Sequence, residues 1–214
     1  MARRRRRSRL GFAPRLIVMA KSPQAGRVKT RLARDVGSTK ATRFYRTCLR
    51  HTLLRLGRDL RWRTLLAVTP DRPPCPVASP GVAHMSQGPG DLGGRMQGLV
   101  RRAPPGPTII VGGDIPAIDA AAITRAFRLL GQADAVFGPA EDGGYWLVGL
   151  RRRPRLLSPF NRVRWSGPEA LADTLQNLKD KRIAFAATLR DVDCIDDFRA
   201  SGDAWQRLIP GRRL

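Results

Sequence analysis

The chain has 214 residues, 42% of them hydrophobic, and a formal net charge of +23 at pH 7. Its length and composition fit one packed domain and exclude wholesale disorder, because its 21 glycines and 17 prolines are spread between apolar runs. The lack of a long apolar stretch and of any paired-cysteine pattern excludes a membrane helix, a disulfide framework and a zinc site. We therefore expect a cytoplasmic protein.

Part of the positive charge lies at the start of the chain, where Arg3 to Arg7 are consecutive. We expect residues 1–14 to form a disordered arginine-rich arm, and the apolar run after them is too short for an export signal. The remaining charge would attract polyanions, and it also suits phosphate-bearing small molecules. No stripe of alternating aromatic and basic residues follows, so nucleic-acid binding without catalysis is a minor candidate function.

Apolar runs and helical spacings alternate along the rest of the chain. Strands are predicted at Arg15 to Ala20, Thr64 to Pro70, Thr108 to Pro116, Ala135 to Gly138, Tyr145 to Leu150 and within 182–193. Helices are predicted from Val28 onward, with an apolar face over Ala41 to Leu56, and at Asp119 to Leu130, Glu169 to Leu178 and Ile195 to Leu208. The proline-rich segment 71–81 and the glycine-rich segment 87–96 are predicted loops.

This order of elements predicts an α/β fold. We expect a single Rossmann-like domain over residues 15–200, with three layers (α/β/α) and a mostly parallel sheet. The end of the C-terminal helix and a basic tail would occupy residues 201–214.

The residues best suited to chemistry follow the predicted strands. Lys21 to Arg31 follow the first strand, Asp114 ends the third, and Asp191 and Asp193 follow the last. In open α/β sheets, ligands bind beyond the carboxyl ends of the strands. We therefore expect these segments to meet at one rim of the sheet.

The segment KSPQAGRVKTRL, residues 21–32, combines cations with glycine in a loop between a strand and a helix. Such a loop suits a nucleotide pyrophosphate, and its candidate ligands are Lys21, Gly26, Lys29, Thr30 and Arg31. Solvated charges on an exposed loop are the alternative. A Walker A loop is not matched, because Val28 rather than glycine precedes Lys29.

Two further segments carry candidate ligands. In VGGDIP, residues 111–116, Asp114 is suited to Mg²⁺ or Mn²⁺, which take oxygen ligands and are shared with substrate phosphates. Helix capping is the alternative role for Asp114, and Asp119 fits that role better. In QGPGDLGGRM, residues 87–96, the glycines would let the backbone approach a base whose edge Gln87 could contact, and a surface turn fits equally well.

Together, the segments MAKSPQAGRVKTRL, GDLGGRM, GGDIP, AEDGGYWLVGL, VRWSG and RDVDCIDDF resemble a bacterial glycosyltransferase-like family that includes proteins of arsenosugar biosynthesis. They follow the family's order and span about Leu16 to Phe198. The family is similar to nucleotide-diphosphosugar transferases of the glycosyltransferase A fold, and to molybdenum-cofactor and phospholactate guanylyltransferases. The resemblance implies that fold and a nucleotide-activated donor.

The resemblance also implies roles for single residues on the donor side. Lys29 and Arg31 would hold the nucleotide phosphates. Asp114 would hold the metal, with Asp193 or Asp191 as a second ligand. The base or ribose would lie near Gly90, Asp91, Leu92 and Arg95.

On the acceptor side, the resemblance makes Asp142 the residue that orients or deprotonates the acceptor. The candidate acceptor residues are Glu141, Asp142, Gly143, Gly144, Tyr145 and Trp165. Two positions depart from the family pattern: Gly113 stands where serine or threonine is expected, and Gly167 where threonine is usual. The first could alter phosphate or metal contacts, and the second weakens the inference about the acceptor.

Two enzymatic functions remain open at this stage. The first is a metal-dependent glycosyltransferase that moves a sugar from a nucleotide sugar to a small acceptor. The second is a nucleotidyltransferase that joins a nucleoside triphosphate to a phosphorylated or carboxylated small molecule and releases pyrophosphate. The fold alone does not separate them.

Overall fold

The computed structural model describes residues 13–70, 81–152, 155–190 and 192–200. Four sequence-based predictions fall wholly or largely outside these ranges. They concern the arginine-rich arm up to residue 12, the proline-rich loop over 71–80, Asp191, and the C-terminal helix end and tail over 201–214.

Seven strands form one sheet in the order β3-β2-β1-β4-β6-β5-β7. The strands are β1 (Arg15–Lys21), β2 (Arg63–Thr69), β3 (Ala83–Ser86), β4 (Thr108–Gly112), β5 (Ala135–Pro139), β6 (Tyr145–Leu150) and β7 (Ile183–Phe185). Strand β6 is antiparallel to β4 and β5, and the other pairs are parallel. The predicted α/β fold with a mostly parallel sheet is therefore confirmed.

Six helices connect these strands or follow the last of them in the described residues. They are α1 (Thr30–Val36), α2 (Ser38–Leu56), α3 (Leu92–Arg102), α4 (Ala120–Leu130), α5 (Ala170–Gln176) and α6 (Ile195–Ala200). The helix predicted from Val28 onward is in fact two helices, because Gly37 lies between them with φ of 85°. None of the described helices is both long and apolar enough to cross a membrane.

The helices lie on both faces of the sheet. Strand side chains alternate between the faces, so each strand packs against both layers of helices. Leu16 and Val18 of β1 pack in one cluster with residues of α2 and α4. Ile17 of the same strand packs on the other face with residues of α3, and partly buried residues of α5 join that cluster. This arrangement is the predicted three-layer α/β/α architecture.

A third cluster brings α6 to the carboxyl end of β1. Leu32 of α1 and Phe44 of α2 pack with Val192, and Phe198 of α6 packs against them. The rings of Phe44 and Phe198 meet edge to face, with centroids 5.3 Å apart. This packing holds the segment before α6, and with it Asp193, above the loop that follows β1.

Two elements differ from the sequence-based prediction. The segment predicted as a glycine-rich loop over 87–96 becomes helical at Leu92, and β3 was not predicted. Glycines normally weaken a helix, but Gly93 is required here. A Cβ at Gly93 would lie 2.7 Å from Trp165 Cζ2 and 2.8 Å from the carbonyl oxygen of Phe160.

Candidate functional site

The candidate site lies where the sheet order reverses. Strand β1 pairs with β2 on one side and with β4 on the other, so the loops that leave β1 and β4 diverge. Ligands of open α/β sheets bind in the crevice that such loops form beyond the carboxyl ends of the strands. Lys29 comes from the loop after β1 and Asp114 from the loop after β4.

Lys29 is the link between the three predicted rim segments. Its Nζ lies 2.7 Å from Asp114 Oδ2 and 2.6 Å from Asp193 Oδ1. The Lys29 side chain is 3% exposed, while those of Asp114 and Asp193 are 30% and 43% exposed. The structure therefore brings Lys29, Asp114 and Asp193 into direct contact, as a buried cation between two partly solvated carboxylates.

The surroundings of Lys29 fix its charge. Burial is the largest single influence and lowers the pKa of Lys29, but the charges and hydrogen bonds of Asp114 and Asp193 together outweigh it and raise that pKa above its ordinary value. The backbone of Lys29 is left-handed, with φ of 46°. A non-glycine residue in this region is strained, and such strain is typical of functional sites.

The segment over residues 21–31, from the last residue of β1 to the start of α1, is hereafter called the basic loop and presents further cations. Lys21, Arg27 and Arg31 are exposed, and none of the three forms an ion pair with any described residue. Gly26 (φ of 76°) and Thr30, which begins α1, are exposed as well. The predicted phosphate ligands therefore lie in one segment, and of its four cations only Lys29 is ion-paired among the described residues.

A cavity of about 280 Å³ opens on the other side of Asp114. Its wall comes from the ends of β1 and β4, the start of β6, helix α3 and the segment before α5. The wall includes Met19, Leu92, Met96, Asp114, Asp142, Tyr145, Trp146, Trp165, Ser166 and Gly167. Asp114 thus touches both Lys29 and the space in which a ligand would fit.

Asp142 stands on the turn between β5 and β6. Ala140 N donates to Gly144 O at 3.0 Å, and Gly144 N donates to Asp142 Oδ1 at 2.9 Å. Gly143 has φ of 85°, and a Cβ there would lie 2.6 Å from the Cα of Pro168. The turn is held closely against the segment before α5, which places the exposed Asp142 side chain at the cavity wall.

The neighbouring acid, Glu141, has different surroundings. Its Oε2 lies 3.5 Å from Arg190 Nε, and Glu141 is not part of the cavity wall. Arg190 also contacts Asp197 at 2.8 Å. Asp197 in turn accepts hydrogen bonds from the backbone N–H groups of Asp193 and Cys194 at 3.0 Å each, and so positions Asp193.

Aromatic residues form one wall of the cavity. Tyr145 and Trp165 meet nearly perpendicularly, with centroids 6.3 Å apart. Burial raises the pKa of Tyr145, whose hydroxyl lies 3.4 Å from Thr174 Oγ1. Outside the cavity, the Arg164 guanidinium pairs with both carboxylate oxygens of Asp173 at 2.9 and 2.8 Å and so holds the segment before Trp165 in place.

The predicted base-binding segment performs structural roles in this structure. Gln87 is buried and donates to the carbonyl oxygens of Ala20 and Ala67, both at 2.9 Å. Asp91 caps α3 by accepting from Gly94 N, and Arg95 Nε donates to Gly90 O. Of the predicted residues in this segment, only Leu92 lies on the cavity wall.

The two departures from the family pattern have physical explanations. A Cβ at Gly113 would lie 2.8 Å from Cδ1 of the buried Leu49, so a serine there would crowd the core. A Cβ at Gly167 would meet only the carboxylate end of Glu169 at 2.7 Å. Gly167 lines the cavity, so the missing side chain leaves more room for a ligand.

Sequence reasoning missed several wall residues, including Met19, Met96 and Ser166. Met96 lies four residues after Leu92 on α3, a spacing that the loop prediction concealed. Cys48 belongs to the apolar face predicted over Ala41 to Leu56 and is buried. Burial raises the pKa of its thiol to about 12, so it is not a reactive thiolate.

The carboxylates of Asp114 and Asp193 fit a divalent cation if substrate phosphates supply its other ligands and Lys29 moves. In the described part of the chain no group of three or more His, Cys, Asp or Glu residues could hold a metal ion. Mg²⁺ commonly needs only one or two carboxylates when substrate phosphates supply other ligands. The Lys29 ammonium already bridges Asp114 and Asp193, so these carboxylates suit a shared cation, and Lys29 must move before a metal takes its place.

Residues 52–167 match DUF2064, a family described as an uncharacterized protein conserved in bacteria. The match covers more than half of the chain, and the chain therefore belongs to this family. No curated protein matches the chain.

Solved structures share its fold. The chain is 24% identical to a proposed nucleotide-diphospho-sugar transferase from Desulfovibrio desulfuricans G20, with a TM-score of 0.80 over 92% of this chain and 98% of the other. A 4-diphosphocytidyl-2C-methyl-D-erythritol synthase from Anaerococcus prevotii is 9% identical, with a TM-score of 0.59 over 91% and 98%. The Mycobacterium tuberculosis protein Rv0371C, in complex with manganese, is 16% identical, with a TM-score of 0.52 over 88% and 97%. At these identities the likeness establishes the fold.

Proposed function

We propose that this protein is a metal-dependent glycosyltransferase that moves a sugar from a nucleotide sugar to a small acceptor. The observation that carries the proposal is the position of Asp114, which contacts the basic loop through Lys29 and also lines the cavity. A donor with its diphosphate at the basic loop would have its sugar at Asp114. An acceptor in the cavity would then face that sugar.

The bond changes follow from this arrangement. A hydroxyl oxygen of the acceptor attacks the anomeric carbon of the donor sugar, and the bond from that carbon to the phosphate oxygen breaks. Asp142 orients the hydroxyl and accepts its proton. The leaving nucleoside diphosphate carries the bonding electrons, and Lys29, Arg31 and their neighbours on the basic loop stabilise its charge.

Asp114 and Asp193 would hold Mg²⁺ or Mn²⁺. The ion would supply positive charge at the diphosphate and so lower the cost of its departure. The proposed metal position is supported by the Lys29 ammonium, a positive charge that already lies between the two carboxylates. A manganese complex of a protein with the same fold adds to that support.

The test is a panel of nucleoside diphosphates, triphosphates and nucleotide sugars, each with and without Mn²⁺, in a thermal-shift measurement. A ligand at about 100 times its Kd adds about 2.7 kcal/mol to stability, which raises the Tm measurably. We expect a metal-dependent rise for at least one nucleotide. No rise with any nucleotide would contradict the proposal.

The panel is repeated with two matched variants. Asp114→Asn should lose the metal-dependent rise, because an amide binds a divalent cation less well than a carboxylate. Asp119→Asn makes the same chemical change at the cap of α4, where asparagine caps equally well. Asp119→Asn should behave as wild type, and loss of the rise in both variants would remove Asp114 from the proposed site.

Nucleotidyl transfer is the second candidate, since the 4-diphosphocytidyl-2C-methyl-D-erythritol synthase from Anaerococcus prevotii has the same fold. The two reactions break different bonds. Glycosyl transfer releases a nucleoside diphosphate, whereas nucleotidyl transfer releases pyrophosphate. Detection of pyrophosphate with a nucleoside triphosphate would favour the second candidate.

A further inference from the structure

The two sides of Asp114 differ in charge. The basic loop carries four cations at 21, 27, 29 and 31. All side chains of described residues that line the cavity are uncharged or acidic, and the acids are Asp114 and Asp142. A substrate that extends across Asp114 therefore meets positive charge at one end and negative charge at the other.

Three arginines near the cavity make their contacts with other groups. Arg164, next to Trp165, is paired with Asp173 through two hydrogen bonds. Arg190 pairs with Asp197 and Glu141. Arg95 bonds to Gly90 O. Of the two acids on the described wall, Asp114 is paired with Lys29, whereas Asp142 forms no ion pair with a described residue. A negative ligand in the cavity would thus face the unpaired Asp142 carboxylate without a free cation on that wall, which is a repulsive arrangement.

The rest of the wall suits a hydroxyl group on an apolar frame. Met19, Met96 and the aromatic rings of Tyr145 and Trp165 provide apolar surface. The Trp165 Nε1–H is buried without a hydrogen-bond partner among the described residues. A hydroxyl can both donate to a carboxylate such as Asp142 and accept from an N–H group, whereas a phosphate or carboxylate can only accept.

On the basis of the proposed transfer reaction, we propose that the acceptor is an uncharged hydroxyl compound with an apolar face, and that the cavity excludes phosphorylated and carboxylated acceptors. The negative charge of the reactants is then confined to the nucleotide. This acceptor class also separates the protein from enzymes that join a nucleotide to an anionic partner.

The experiment uses the full chain labelled with [methyl-¹³C]methionine. Met19 and Met96 line the cavity, whereas Met85 lies on β3 outside it and serves as an internal control. Their signals are assigned with Met19→Leu and Met96→Leu. The probes are phenyl β-D-glucoside and phenyl β-D-glucuronide, which have nearly the same shape and differ by a hydroxymethyl group against a carboxylate.

We expect the glucoside to shift the Met19 and Met96 signals at concentrations at least tenfold lower than the glucuronide, without a shift at Met85. Equal or tighter binding of the glucuronide overturns the proposal. So does the absence of any shift at Met19 and Met96, or a shift confined to Met85.

Two variants of Asp142 sharpen the result. Asp142→Asn keeps an acceptor for Gly144 N and removes the charge, so the preference for the glucoside should shrink. Asp142→Lys reverses the charge and should favour the glucuronide. An unchanged preference in both variants would show that the cavity carboxylate does not select the acceptor.

Failure of this inference is distinguishable from failure of the proposed function, because nucleotide binding is measured separately by thermal shift. Methyl shifts without any nucleotide-dependent rise in Tm would leave the ligand preference of the cavity standing and overturn the transfer reaction. A nucleotide-dependent rise with preference for the glucuronide would do the reverse.

Discussion

The basic loop and the cavity are built differently. Three of the four cations of the basic loop, Lys21, Arg27 and Arg31, are exposed, and its backbone has two left-handed residues, Gly26 and Lys29. The cavity is formed by side chains of strands and helices, and its Asp142 stands on a turn fixed by hydrogen bonds. Under the proposed function, this difference would let charge attract the polyanionic donor, whereas shape and fixed groups would select the acceptor.

The largest expected effect concerns the acid at the cavity. Asp142→Asn should lower turnover by about 10²–10⁴-fold, because the proposed general base is lost while the turn keeps the hydrogen bond that Gly144 N donates. The measurement is kcat with the nucleotide sugar found in the thermal-shift panel. Glu141→Gln is the matched control and should change kcat about twofold at most, since Glu141 faces Arg190. Full activity of Asp142→Asn would remove its catalytic role.

Gly143→Ala tests whether the cavity is the rigid region. We expect a loss of about 3 kcal/mol in unfolding free energy, because the new Cβ collides with the backbone of Pro168 in addition to left-handed strain. Gly26→Ala on the basic loop also has a positive φ, but a Cβ there meets nothing within 4 Å. It should cost only about 1 kcal/mol. Equal losses in urea denaturation would contradict the contrast.

Lys29→Met removes the link between the two regions. The change leaves Asp114 and Asp193 close together without a cation, and we expect a loss of about 1–3 kcal/mol, since the carboxylates remain partly solvated. Mg²⁺ should raise the Tm of this variant more than that of wild type, because it can replace the ammonium between the carboxylates. A Tm that is equally insensitive to Mg²⁺ in both proteins would argue against a shared cation position.

The smallest effect is expected at the outer support of the cavity. Hydrogen bonds from Arg164 hold the pKa of Asp173 down to about 2, so its contribution to stability is complete above about pH 4, the ordinary range of aspartate. It is lost as the pH falls through about 2. The Tm difference between wild type and Asp173→Asn should therefore be small, constant above about pH 4, and lower towards pH 2. A difference that grows on acidification has the wrong sign.

The sequence predicted the elements that are continuous apolar runs. Strands β1, β4 and β6 are buried on both faces, so their apolar residues stand in unbroken series. Strand β3 was missed because it has only four residues, which are mostly exposed and form no continuous apolar run. Helix α3 was missed because Gly93, Gly94 and Gly98 lower helix propensity, and the need for Gly93 arises only from the packing of Trp165.

The rim of the sheet was predictable, but the contacts within it were not. The rule on strand ends placed Lys29, Asp114 and Asp193 at one edge from the sequence alone. That Lys29 bridges both acids depends on α6 packing against α1 and α2, far away in sequence. Likewise, no local pattern shows that Glu141 pairs with Arg190 whereas the adjacent Asp142 lines the cavity.

The antiparallel direction of β6 has a practical consequence for protein engineering. Because β6 returns directly beside β5, the segment between Pro139 and Tyr145 is a short local hairpin, and it contacts the segment before α5 as well as Leu189 and Arg190. Exchanging this hairpin together with residues 164–170 leaves every residue of the basic loop unchanged. Under the proposed function, grafting both segments between members of the family should change the acceptor while the donor stays the same.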